Sequence, residues 1–477
     1  MSQNAKIFRS AFSWLLFCLL LLQSASLFAQ DRSYYAYKNS KERYAWPLAT
    51  LLENAQADLG IEITCDKNVD PYLQETVPMA PWKFWDNPEL RLAYILAPLD
   101  LTFEKTGEHS YRVYEPWYQN RPESEGIAHL QRLLKRFPDR ESWEQRKAAL
   151  RKQILAKLDL DKLPAPTGTA PIYNPEKRVY DGYSVENVAL EIIPGYYLSG
   201  SLYRPIKEAD SYAVIASPHG HGAEGRFAAD NQYRCATLAR MGAIVYSYSM
   251  FAWIADESPL NATEDHRIPF AGTMQTLSSI RVIDFLLSLK GADPDRVGIT
   301  GCSGGGTQTF LATALDDRIT VAVPVVMVSA HFFGGCPCES GQPIHTVEGG
   351  TCNAEIAAMA APRPMLLVAI TQDWTKNTPT VEFPYIQSIY KYYNAENNVE
   401  YTIIDEPHNY GKTKRDAMYP FMAKHLRLDL SQADESKVTI EPREQMLIFG
   451  VNHVNYPANG IQNIEELIKV FNEYKNK

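Results

Sequence analysis

Surplus basic charge is missing from this sequence: 47 Lys and Arg stand against 56 Asp and Glu, a formal net charge of −9. That balance excludes a nonspecific electrostatic grip on nucleic acid and leaves a neutral partner as the expectation. No internal repeat, long charge block or low-complexity tract occurs, which excludes solenoids and propellers of repeated blades. The 30 prolines and 26 glycines are dispersed, as suits many turns rather than a fibre. No apolar run reaches the roughly 18 residues that a membrane crossing needs. What is present is a chain of 477 residues, 45% hydrophobic and 22% charged, long enough for roughly two to four domains and a large core.

The N-terminus pairs Lys6 and Arg9 with an apolar run from Ala11 to Leu22 and ends this pattern at Leu27-Phe28-Ala29. This reads as a signal peptide over residues 1–29, so the mature protein is expected to be periplasmic or secreted with no membrane span. Phe17 stands before Cys18 where a lipid-modified cysteine has a small residue, so no lipid anchor is expected. An oxidising compartment permits disulfides. Six cysteines remain: Cys65, Cys235, Cys302, Cys336, Cys338 and Cys352. Cys336, Cys338 and Cys352 with His331 and His345 are a conceivable zinc cluster, but they lack the paired spacing of structural zinc sites. The favoured expectation is at least one disulfide among Cys302, Cys336, Cys338 and Cys352, with no metal.

Residues 30–117 read as a small α/β domain. Leu48, Leu51, Leu52, Ala55 and Leu59 make a helical stripe closed by Gly60, Ile61 to Cys65 follow as a strand, and a second helix covers Pro88 to Leu96. Leu101 to Lys105 and Tyr111 to Tyr114 read as a hairpin. In order and turn placement, with Leu96-Ala-Pro-Leu-Asp-Leu-Thr-Phe103 as its most telling run, this part resembles the secretin and TonB short N-terminal (STN) domain. The resemblance implies an envelope-protein partner for docking. Residues 118–170 read as two amphipathic helices, striped by Ile127, Leu130, Leu134 and Phe137 and by Trp143, Leu150, Ile154 and Leu158. They are broken at Pro138, the second is opened by the capping pair Ser142 and Gln145, and a proline-rich linker follows.

Residues 171–430 alternate between apolar strands and helices. A hairpin at Val185 to Ile192 and Tyr197 to Tyr203 precedes strands at Tyr212 to Ser217, Ala243 to Tyr248, Arg296 to Thr300, Ile319 to Ser329, Pro364 to Thr371 and Val399 to Asp405. Helices run to Met241, from Met274 to Leu289, to Leu315, to Tyr393 and to Leu426. Such alternation specifies a mostly parallel sheet with helices on both faces, an α/β fold. Residues 431–477 form an extension of short strands and an amphipathic helix through Ile464, Leu467, Ile468 and Phe471.

Directly after the strand Arg296 to Thr300, Gly301-Cys302-Ser303-Gly304-Gly305 fits G-x-S-x-G between strand and helix, the pattern of a nucleophile elbow. A serine hydroxyl needs a base, and on this architecture the order serine, acid, histidine is expected on loops after successive strands. Asp373 and His408 occupy those places. His408 is expected to take the Ser303 proton, and Asp373 to orient the imidazole and stabilise its cation. Asp405 and Glu406 compete for the acid's role but lie too close in sequence to His408 to loop back. The oxyanion hole is assigned to the backbone N–H groups of Gly304 and His221, the latter from Ser217-Pro-His-Gly-His-Gly222. Gly220 to Gly225 also fits G-x-G-x-x-G, yet no acidic residue ends the next strand to hold a ribose, so no cofactor is expected. His219 and His221 as a metal pair lack a further ligand at suitable spacing. Phe251, Trp253 and Trp374 are expected to hold the substrate, and Arg267 and Arg363 are candidates for attracting a uronate.

Gly301 to Phe310, Val323 to Ser329, Phe332 to Cys336, Asn353 to Ile356, Ala361 to Pro364, Asp373 to Thr378 and His408 to Gly411 together resemble the exported α/β-hydrolases classed with acetyl xylan esterases and cephalosporin C deacetylases. The resemblance implies an α/β-hydrolase fold and a serine carboxylesterase that removes acetyl groups from plant polysaccharide or oligosaccharides through an acyl-enzyme. Ser303, Asp373 and His408 match that group's triad. The insertion Phe332 to Cys352 departs from it and leaves the substrate open. A glucuronoyl esterase or serine exopeptidase on the same triad, or a non-catalytic envelope scaffold, is the alternative.

Overall fold

The computed structural model describes residues 45–78, 86–99, 101–114, 120–174, 176–262, 264–340 and 344–476. The expected signal peptide lies outside them. The chain divides into two compact units, residues 1–116 and 117–477.

In the first unit, strand β1 (Ala45–Pro47) leads into helix α1 (Leu48–Leu59), followed by β2 (Glu62–Cys65), β3 (Thr76–Pro78), α2 (Pro88–Leu96), β4 (Thr102–Lys105) and β5 (Ser110–Tyr114). The stripe on α1 buries Leu48, Leu51, Leu52 and Ala55, each buried leucine contributing about 1.5–3 kcal/mol. Gly60 closes the helix at φ 63°, a left-handed position that glycine adopts without strain. β5 pairs in parallel with β2 and antiparallel with β4, and both helices pack on this sheet.

The second unit opens with α3 (Glu123–Arg136) and α4 (Arg140–Lys157). The cap of α4 is Asp139, which accepts from the backbone N–H of Ser142 while the Ser142 hydroxyl accepts from the Asp139 N–H; this reciprocal box starts the helix three residues before the expected pair of Ser142 with Gln145. Then follow β6 (Ile172–Tyr173), β7 (Arg178–Val179), β8 (Tyr183–Ile193), β9 (Tyr196–Pro205), β10 (Tyr212–Pro218), α5 (Ala229–Arg240), β11 (Ala243–Tyr248), α6 (Phe270–Ser288), β12 (Ala292–Cys302), α7 (Gly304–Leu315) and β13 (Val321–Val325). The chain closes with α8 (Pro337–Ser340), α9 (Asn353–Ala358), β14 (Met365–Ile370), α10 (Glu382–Lys391), β15 (Val399–Ile404), α11 (Lys412–Leu426), α12 (Arg443–Met446) and α13 (Ile464–Lys475).

These strands form a 10-stranded sheet in the order β15-β14-β13-β12-β10-β11-β9-β8-β6, with β7 also on β8. The six strands from β15 to β11 are parallel, and β9, β8, β7 and β6 continue antiparallel. One large apolar cluster covers one face, with α4, α6 and α7, and a second covers the other, with α5 and α11. The alternation anticipates this mostly parallel, two-faced sheet, and its arrangement is the α/β-hydrolase fold that the family resemblance implies.

Two expectations are corrected. β13 ends at Val325 rather than Ser329, because Val326 turns to φ 47° and takes the chain out of the sheet. The tail after Lys437 contains no strand among the described residues. It lies instead as a strap, with Phe449 edge-on to Tyr197 and Tyr456 and with Met446 and Leu447 against Phe227 and Ile254.

Candidate active site

β12 delivers Ser303 to the carboxyl end of the sheet, and α7 begins at the next residue. Ser303 sits at φ 57°, ψ −122°, a conformation that costs a non-glycine residue roughly 1–3 kcal/mol and persists only where neighbours hold it. Those neighbours are close. A Cβ on Gly301 would stand 2.5 Å from the Pro218 carbonyl oxygen, and one on Gly305 would stand at the same distance. The two flanking glycines of the motif are therefore required by the approach of β10, and they let the serine turn outward.

His408 follows β15, and its Nδ1 lies 2.7 Å from Asp373 Oδ2. Asp373 follows β14; its other carboxylate oxygen accepts from the backbone N–H and hydroxyl of Thr375 at 2.7 and 2.6 Å. Both oxygens are thus engaged, and the carboxylate is nearly buried beneath a half-buried imidazole. The His408 loop is clamped from behind by the buried Lys414, whose ammonium donates to Glu406, the Pro407 carbonyl and Asn409. Tyr410 meets Thr300 of β12 at 2.7 Å, which ties the loop to the strand carrying the serine. Asp405 accepts from Thr371 and Gln372, and Glu406 from Thr413 and Lys414, so the two competing acids are engaged elsewhere.

Ser303, His408, Trp374, Trp253, His221, Phe332 and Arg267 line one cleft of about 750 Å³. The His221 ring overhangs the backbone of Gly304, where a Cβ would come within 2.6 Å of the imidazole. His219 is buried, with Nδ1 at the Gly220 carbonyl and Nε2 accepting from Met250 N–H, which fixes the loop to the end of β11. Burial holds the His219 pKa down at about 3, so it stays neutral and structural. Cys302 also borders the cleft, but burial pushes its thiol up to about 12. It is no competitor for the nucleophile, since only a thiolate attacks.

Trp374 stacks on Phe332 at 3.9 Å and stands 4.9 Å from His408. Trp253 donates to the Gly222 carbonyl and lies edge-on to His221 at 4.9 Å. Phe251 is a correction: its side chain is buried against Tyr196 in the main core and does not reach the cleft, the chain being turned there by Ala252 at φ 45°. Arg363 is a second, since its guanidinium donates to the carbonyls of Thr313, Asp316, Ile319 and Ala360 and serves as a structural tie. Among the described residues lining the cleft, Arg267 is the one Lys or Arg, and it is exposed.

The disulfide expectation is also corrected. All six described cysteines are free thiols. Cys302 packs against the cluster on one face of the sheet, whereas Cys336, Cys338 and Cys352 belong to the cluster on the other. His331 meets Ser329, and His345 meets Asn353. Sequence reading missed His266, which approaches His221 and Cys338 from a turn after β11.

A family model described as glucuronyl esterase, fungi, matches residues 272–334, from the first turn of α6 through the elbow and β13 to the segment after it. Comparison with curated proteins finds no match. Among solved structures, methylesterase BT1017 shares 38% identity over 92% of this chain and 100% of that one, with a TM-score of 0.71. A CE15 glucuronoyl esterase from Teredinibacter turnerae T7901 shares 14% identity over 70% of this chain and 98% of its own, at a TM-score of 0.47. An acetyl xylan esterase from Paenibacillus sp. R4 shares 18% over 57% and 92%, at 0.39. On the first of these relationships, which spans nearly the whole chain, the protein belongs to the family of methylesterase BT1017, carboxylic ester hydrolases with an α/β-hydrolase fold.

Proposed function

We propose that this esterase hydrolyses methyl esters of uronic acid residues in a polysaccharide or oligosaccharide, with Ser303 as nucleophile, His408 as general base and acid, and Asp373 as its orienting carboxylate. In this reading Ser303 attacks the ester carbonyl while His408 takes its proton, and the tetrahedral oxyanion is held by the N–H groups of Gly304 and His221. Collapse expels methanol, protonated by His408, and leaves a uronoyl-enzyme that water hydrolyses with His408 as base.

The observation that carries this reading is the arrangement of the cleft around His408. The leaving group must lie on the histidine's side, where Trp374 stands 4.9 Å from His408 and stacks on Phe332, and in the proposed pose these two rings flank the small methoxy group. Arg267, on the cleft lining with Trp253, suits the free carboxylates of neighbouring uronates. Kinship with a methylesterase supports the same choice. The acetyl-ester reading places the sugar as leaving group instead, against that aromatic wall.

The deciding experiment offers methyl-esterified uronide oligosaccharides and acetylated xylo-oligosaccharides to the enzyme and measures methanol and acetate. Methanol release that vanishes in Ser303→Ala supports the proposal; acetate release with no methanol replaces it by the acetyl reading. We further propose export to the periplasm or beyond, with the N-terminal unit acting as an STN-like docking module for an envelope protein. Processing at Ala29, read by N-terminal sequencing of the mature protein, tests export.

A further inference from the structure

At the wall of the cleft, which His221 and Cys336 line, four side chains outside the proposed triad converge. His221 comes from the loop after β10, His266 from the turn Asp265–Arg267, and Cys336 and Cys338 from the insertion around α8. One ligand atom from each lies within 4.8 Å of all the others. His221 Nε2 stands 3.0 Å from His266 Nε2 and 3.1 Å from Cys338 Sγ. Bonds of about 2.0 Å to imidazole nitrogen and 2.3 Å to thiolate sulfur give a coordination tetrahedron edges of roughly 3.3–3.8 Å. The four atoms therefore already surround a volume of the size that one such ion fills.

The proton inventory points the same way. His266 Nδ1 faces the Phe251 carbonyl oxygen, which places the ring proton there and turns the bare Nε2 lone pair toward the cluster. A backbone carbonyl behind the imidazole is the arrangement that orients metal-bound histidines. His221 Nε2 then faces that lone pair at hydrogen-bonding distance, so a proton or a cation must stand between the two rings. His266, Cys336 and Cys338 are buried, and Trp253 lies edge-on to both imidazoles at 4.9 Å. The adjacent Glu339 is already engaged by Thr307 and the N–H of Gly335, which leaves a donor set of two nitrogens and two sulfurs.

We propose that His221, His266, Cys336 and Cys338 form a closed tetrahedral site for a divalent cation, zinc by the softness of its ligands, that ties the insertion to the loop carrying the proposed oxyanion donor. On binding, the two thiols give up their protons to solvent, and the two thiolates neutralise the ion. Four protein ligands leave no open position, so the ion is structural and is no Lewis acid for the ester. It supplies what the insertion's own secondary structure cannot: α8 is only 4 residues long and its hydrogen bonds alone hold little.

Metal analysis of the intact protein, purified without chelator from zinc-supplemented medium, tests the site independently of any activity. About one zinc per chain is expected, and Co2+ added to chelator-treated protein should give the intense visible bands of tetrahedral cobalt with thiolate-to-cobalt charge transfer. His266→Ala and Cys338→Ser should each lower zinc occupancy at least roughly tenfold, with circular dichroism confirming that the fold is kept. The wild-type cobalt spectrum keeps the test valid should either variant fail to fold. Absence of stoichiometric zinc together with no cobalt charge transfer overturns the proposal, as does an intact mass showing Cys336 and Cys338 joined as a disulfide. Zinc binding in a protein that releases no methanol would leave this site standing while the proposed substrate falls.

Discussion

Ser303, His408 and Asp373 act as one unit in the proposed chemistry, so their substitutions should not add. Ser303→Ala is expected to lower kcat on an aryl acetate by about 10^5–10^6-fold, His408→Ala by nearly as much, and the double variant by no more than either. Asp373→Asn should lose about 10^4-fold, because the amide presents the wrong partner to His408 Nδ1. Steady-state rates with circular dichroism check this, and near wild-type turnover in Ser303→Ala would end the assignment. Arg267→Ala should raise KM for a methyl-esterified uronide severalfold and leave aryl acetate unchanged, since the exposed guanidinium contacts only the sugar's neighbours in the proposed pose. The proposed triad could be picked out in the sequence because each candidate follows its own strand in the order the architecture requires, and the glycines mark the turn at Ser303; the structure pairs His408 with Asp373 and puts Ser303 and His408 on one cleft. His266 was not, since no periodicity or local spacing links it to Cys336 and Cys338, and only the return of the 265–267 turn to the β10 loop brings them together. Phe251 misled because an aromatic after a strand end looks the same whether it points to solvent or core; the backbone turn at Ala252 decides it.

Elements are positioned here by close backbone approach and by buried polar staples. Gly305→Ala would drive a methyl group to 2.5 Å from the Pro218 carbonyl and 3.0 Å from His219 backbone. The clash lies between β10 and α7, with no flexible side chain to give way, so destabilisation of about 1–3 kcal/mol or more is expected and should show as a lowered Tm. Lys414→Met keeps the buried stem of α11 but removes three donors from the His408 loop. Activity should fall while the thermal midpoint changes less than in the glycine variant, and a loss in kcat with KM nearly constant would show that the loop positions the histidine. Strand and helix boundaries were readable wherever the apolar run was long, as in β10 and β14. They failed at β13 and in the tail, where a single residue at positive φ or an aromatic wedge overrides local propensity.

At the scale of the whole molecule, the segment leaving β13 toward the insertion is coupled to α10 by one carboxyl group. Glu382, fully buried at the start of α10, accepts from the Ala330 N–H at 2.9 Å, and burial pushes its pKa up from 4.5 to about 7. The folded state therefore holds this proton more tightly than the unfolded chain does. Its contribution to stability is complete below the unfolded pKa near 4.5 and is lost as pH rises through the folded value near 7. By linkage the loss amounts to about 3–4 kcal/mol between those limits. Other groups titrate in the same range, so the informative quantity is the difference between wild type and Glu382→Gln, whose neutral amide keeps the acceptor for Ala330. Denaturant unfolding from about pH 5 to about pH 8 should show the variant gaining on wild type as pH rises, most steeply between the two pKa values, near about pH 6, and levelling off above about pH 7. Because Ala330 leads directly into Phe332, the same rise in pH should loosen the aromatic wall beside His408 in wild type and not in the variant. A pH-independent stability difference would show that Glu382 does not titrate in the folded protein over this range.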